Sequence, residues 1–166
     1  MPRPTTSIAT LRRILQQELL SGKNLVALAE EASNLIIAGD AEKLPALEER
    51  QRQVLEQQRH QETARIAATR NLAWGLGLER VPPLSELLEA LTPQDAGALA
   101  QLRDKLLDTH TQLERLNARN RILLNNMLEY VRYSLDVLTS AALQPARYGT
   151  NLTQIAAPSF YIDSKA

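Results

Sequence analysis

The chain has no cysteine. That excludes disulfides, thiol catalysis and thiolate metal sites, and it points to a reducing, cytoplasmic setting rather than a stapled secreted protein. Aromatic residues are also scarce: one Trp, one Phe and four Tyr among 166 residues. A core of Leu, Ala, Ile and Val suits packed helices better than a β-sandwich. The formal net charge is zero, so the basic surplus that neutralises nucleic-acid phosphates is missing. No run of 18 apolar residues occurs, which excludes a membrane-spanning helix and stable membrane insertion. The first residues, MPRPTTSIATLRRILQQ, hold no apolar stretch of signal-peptide length. Gly39, then Gly75, Gly77, Pro82 and Pro83, and finally Pro145 divide the chain into long segments.

Those segments carry helical periodicity. Ile8, Leu11, Leu15, Leu19, Val26, Ala29, Ala32 and Ile36 form one amphipathic stripe, widened by Leu20, Leu28 and Leu35. Gly39 suits the left-handed position past a helix end, and Asp40 suits the cap of the next helix. A second helix is expected from Asp40 or Leu44 to about Trp74, with Pro45 in its first turn. Leu44, Leu47, Val54, Leu55, Ile66, Leu72 and Leu76 mark its apolar side. Its middle, EQQRHQETAR over 56–65, has no large apolar residue, so it should be thinly buried, as in a helix that projects beyond its partners. Gly75, Gly77, Pro82 and Pro83 break the pattern, and residues 85–91 give a short helix. Thr92-Pro93-Gln94-Asp95 is a helix start signal.

The longest helix follows, to a stop at Pro145. Leu102, Leu106, Thr109, Leu113, Leu116, Asn120, Leu123, Met127, Tyr130, Ser134, Val137 and Ala141 step strictly by four and three, the spacing of a coiled-coil seam. Such a helix must pack along the first two. The fold expected is all-α, an elongated antiparallel bundle of three long helices plus one short helix. Residues 1–144 make the bundle, and residues 145–166 form an extended or disordered recognition tail.

Catalytic and metal motifs are absent from the sequence. His60 and His110 are preceded at three residues by Gln57 and Leu107, which fits no Glu-x-x-His metal pair. Asp108, His110 and Glu114 do not share one helix face. No phosphate-binding loop, zinc-protease motif or nucleophile elbow occurs. Neither an enzyme nor a cofactor is expected.

Two features suggest recognition instead. Leu124, Leu128, Val131, Leu135 and Leu138 form a second apolar row beside the seam. Two rows mean two neighbours, either both within the bundle or one of them a separate protein docked helix to groove. The terminal segment carries Tyr148, Leu152, Ile155, Phe160, Tyr161 and Ile162, side chains that favour burial by roughly 1.5–3 kcal/mol for each large aliphatic or Phe. They fold back on the bundle, order on a partner, or stay shielded until one arrives.

Leu113-Glu-Arg-Leu-Asn117-Ala-Arg-Asn120-Arg-Ile-Leu-Leu124, then Leu128 to Leu138, then Tyr148-Gly149, resembles the signature of FlgN-type flagellar export chaperones. The first helix ending before Gly-Asp, the Glu-, Gln- and Arg-rich second helix, and the ending Ile162-Asp-Ser-Lys-Ala166 are similar too. The resemblance implies a cytoplasmic, non-enzymatic chaperone. It would bind the C-terminal helices of hook-associated junction proteins of the FlgK and FlgL type, prevent their premature assembly and deliver them to the export gate. Asn117 and Asn120 would be family-motif residues, the third long helix and the tail would bind clients, and Tyr148 would dock at the gate. The competing reading is a structural coiled-coil scaffold or stalk protein acting as a homodimer, for which Asn120 inside the seam would set the register.

Overall fold

Helix ends are fixed by local chemistry in this computed structural model, which describes residues 4–143 and the side-chain environments of residues 5–140. Helix α1 spans Pro4–Ala38, α2 Leu44–Gly75, α3 Leu84–Glu89 and α4 Pro93–Leu143, with a single 3₁₀ turn at Ala41–Lys43. No strand occurs among the described residues, and the chain is all-α as expected.

Both α1 and α2 stop in the same way. Gly39 and Gly77 adopt φ of 75° and 77°, where a side chain would be strained. After α1, the Gly39 and Asp40 N–H groups donate to the Ile36 and Leu35 carbonyls. After α2, those of Gly77 and Leu78 donate to Trp74 and Ala73. Each pair is a Schellman cap, which satisfies carbonyls that the helix leaves orphaned. Asp40 does not cap α2 as the sequence suggests. Its N–H closes the α1 cap, and its carboxylate accepts from Lys43 instead. Thr92 does act as expected: its Oγ1 accepts from the Asp95 N–H at 3.3 Å and donates to the Asp95 carboxylate.

The chain divides into two units between Glu129 and Tyr130. Within the first, α1 and α2 form an antiparallel hairpin. Arg50 pairs with Glu31, Gln61 with Ser21 and Arg65 with Glu18, so one number falls as the other rises. Helix α4 runs parallel to α1. Asn120 meets Ser33, and Thr109 lies against Gly22, where an added Cβ would sit 3.1 Å from the Thr109 methyl. The offset is 87 residues in the Ser33–Asn120 pair.

Apolar packing occurs in two separate places in this unit. One cluster joins Leu11, Ile14 and Leu15 of α1 with Ala68, Leu72 and Ala73 of α2, Leu87 of α3 and Leu99 of α4. The other joins Leu25 and Leu28 with Leu47, flanked by Val54 and Leu113. Between Leu47 and Ala68, α2 buries no residue. The thin burial expected there is real, but the helix does not run past its partners. It lies along α1 through polar contacts: the Ser21–Gln61 hydrogen bond at 3.1 Å and the Glu18–Arg65 ion pair at 3.0 Å. The stripe of α1 also differs in detail from its sequence pattern. Leu20 is 63% exposed, whereas Ile14, Ser21, Leu25 and Ser33 are buried.

Candidate recognition surface on helix α4

The seam of α4 is packed over its first part. Leu102 and Leu106 rest on the first cluster, and Leu113 rests on the second. Asn120 is only 8% exposed. Its amide N–H donates to the Ala29 carbonyl at 2.8 Å, and its oxygen accepts a short hydrogen bond from the Ser33 hydroxyl. A polar residue inside an apolar seam is costly unless fully satisfied. Here all partners come from α1 of the same chain, and that fixes the register of α4 on α1. Asn117, three residues earlier, is exposed.

By the 87-residue offset, the last residue of α1, Ala38, falls level with Asn125. The seam outlasts the helix that covers it. Leu116, Leu123 and Met127 remain half-buried. In the second unit, Tyr130 is 64% and Val137 49% exposed, although both keep the seam spacing. The expectation that the whole seam packs along the first two helices therefore fails at these two positions.

The second row is exposed along its entire length. Leu124 and Leu128 lie in the first unit; Val131, Leu135 and Leu138 lie in the second; their exposure runs from 39% at Leu124 to 66% at Leu138. Leu124 and Leu128 of the first unit join neither of its apolar clusters. Tyr133 and Ile122, to which the sequence pattern gave no role, are exposed as well. The remaining sequence-predicted residues, Tyr148, Gly149, Leu152, Ile155, Phe160, Tyr161 and Ile162, lie outside the described residues.

A concavity lies within the first unit, on the polar stretch of α2. It has a volume of about 600 Å³ and is walled by Leu55, Gln58 and Glu62 of α2 and Leu106, Leu107 and His110 of α4, over a floor of Leu15, Glu18 and Gly22. Burial pushes the Glu18 carboxyl up from its ordinary value, and the Arg65 guanidinium opposes that shift. Mixed polar walls and no metal-binding cluster among the described residues give it no evident chemistry. His110 sits 3.2 Å from Glu114 on the exposed side of α4, a surface pair. No helix among the described residues is long and apolar enough to cross a membrane.

A family model described as FlgN protein matches residues 1–154 of the chain, including the Asn117–Asn120 step, the exposed row of α4 and Tyr148-Gly149. The match ends before Ile155, Phe160, Tyr161 and Ile162. No curated protein and no solved structure matches.

Proposed function

The chain belongs to the FlgN family of flagellar export chaperones, and on that premise we propose that its clients dock on the exposed apolar row of α4. The clients are hook-associated junction proteins of the FlgK and FlgL type, held by their C-terminal helices. The observation that carries this is the row itself: Leu124, Leu128, Val131, Leu135 and Leu138 keep helix-contact spacing and are all exposed. An amphipathic client helix laid along it buries its own apolar side, which blocks premature assembly. Residues 145–166 form a recognition segment separate from the 1–144 bundle, with Tyr148 the contact to an export gate component. The protein works in the cytoplasm as a binding protein, without catalysis or cofactor.

The test is calorimetric titration of the full chain with the C-terminal helical segment of a junction protein. One-to-one binding at micromolar affinity or tighter is expected, with Leu135→Glu weakening it at least tenfold. A 1–144 truncation measures the contribution of the segment beyond the bundle. No binding by the full chain rejects the reading.

The scaffold alternative rests on Asn120 as an intermolecular register key. In the structure that side chain is occupied by Ser33 and Ala29 of its own chain, which favours the chaperone reading.

A further inference from the structure

The exposed row of α4 continues past Leu124 toward the start of the helix. Stepped back by the same three and four residues, it passes through Arg121, Asn117, Glu114 and His110, all of them exposed. The row therefore changes chemistry along its length. From Leu138 to Leu124 it is apolar; Arg121 and Asn117 then offer N–H donors, and Glu114 follows with a negative charge. Among the described residues the ion pairs of α4 are Arg103–Asp104 and His110–Glu114, so the Arg121 guanidinium has no carboxylate partner among them.

We propose that Arg121, with Asn117 one turn away, binds the terminal carboxylate of the client chain, so that the client's last helix docks antiparallel to α4. The proposal rests on the client reading above and adds its direction and its end point. A client held by its C-terminal helix brings that carboxylate to the row, together with the negative end of its helix dipole. A guanidinium takes a carboxylate through two parallel N–H donors. The Asn117 amide, four residues from Arg121 on the same face, supplies another. Glu114, the next residue of the row, repels a carboxylate, so the client ends at Arg121 and Asn117 and slides no further. Charge at the far end of the row agrees. Asp136 is the only charged residue of α4 after Arg132, and an antiparallel client brings its N-terminal turn, the positive end of its dipole, to that level. Glu129 and Arg132, between the two ends, carry opposite charges and favour neither direction. A parallel client would set its carboxylate near Asp136 and its N-terminus near Arg121, like charge to like at both ends.

Calorimetric titration of the full chain with the C-terminal helical segment of a junction protein, once as the free acid and once C-terminally amidated, tests this. The free acid should bind more tightly, by roughly tenfold or more. Arg121→Ala should weaken free-acid binding by about that factor and bring the two peptides to equal affinity. Arg119→Ala, on the opposite side of the helix, should leave the preference as it is. Circular dichroism verifies that both variants keep their helicity. A nitroxide near the peptide's C-terminus should broaden the backbone NMR signals around Arg121, not those around Leu135. Equal binding of acid and amide by the unsubstituted chain overturns the proposal and leaves the client reading standing. So does a preference for the acid that survives Arg121→Ala, or broadening confined to the signals around Leu135. If the chain binds neither peptide, the client reading falls and this proposal with it.

Discussion

Two stretches of α4 follow the same spacing rule and meet opposite fates. Around Leu99–Asn120 the four-three row is packed against α1 and its neighbours. Around Tyr130–Leu138 the same row, joined by a second, is exposed. Spacing specifies that a helix face must be covered; it does not say by what. The first stretch finds its cover within the chain, because α1 runs parallel to it as far as Asn125. The second stretch keeps the rule after that cover ends, as a surface that takes its neighbour from outside would.

The sharpest break in this comparison comes from truncating one leucine in each stretch. Leu99→Ala, at a side chain with no exposure, should destabilise the protein by about 2–5 kcal/mol. Leu138→Ala should stay within about 0.5 kcal/mol. Urea denaturation followed by circular dichroism measures both, and comparable losses would erase the distinction. Next comes Asn120→Ala, which leaves the Ala29 carbonyl and the Ser33 hydroxyl without this partner. It should lower stability by about 1–3 kcal/mol, and no loss would mean that the register is held elsewhere. Leu135→Glu reverses the expectation for the exposed stretch. Client affinity should fall at least tenfold, about 1.4 kcal/mol, with the thermal midpoint unchanged.

The smallest effect concerns Glu18. Burial raises its carboxyl above the ordinary value, more than Arg65 lowers it. The folded state therefore holds this proton more tightly than the unfolded chain does. Its contribution to stability is greatest at low pH and falls as pH rises from the ordinary carboxylate value through the raised one. Glu18→Gln should flatten that part of the pH–stability curve while changing stability at neutral pH by less than about 1 kcal/mol.

The helices, the breaks at Gly39 and Gly77, and the Thr92 start were legible in the sequence because each rests on local chemistry: period, left-handed backbone and cap. What escaped the sequence pattern depends on neighbours. Ser21, Gly22 and Ser33 sit in the apolar stripe of α1 as small residues, and a periodicity count treats them as gaps. In three dimensions they are buried contacts: Ser21 to Gln61, Gly22 against Thr109, Ser33 to Asn120. Leu20 failed in the other direction, being apolar and near the stripe yet with no helix opposite it. Asn120 stood out as a polar residue in a seam, but only its partners show that it serves the chain's own fold. The second row of α4 was legible as apolar; that it lies open required the structure.

The division of the first unit into two apolar clusters has a kinetic meaning. Between Val54 and Ala68, α2 holds α1 through the Ser21–Gln61 hydrogen bond and the Glu18–Arg65 ion pair rather than through buried apolar side chains. Amide protons there should exchange with solvent sooner than those beside Leu72 or Leu25, because local opening need not disturb either cluster. The two ends of the α1–α2 hairpin should then open as separate cooperative blocks, one around each apolar cluster.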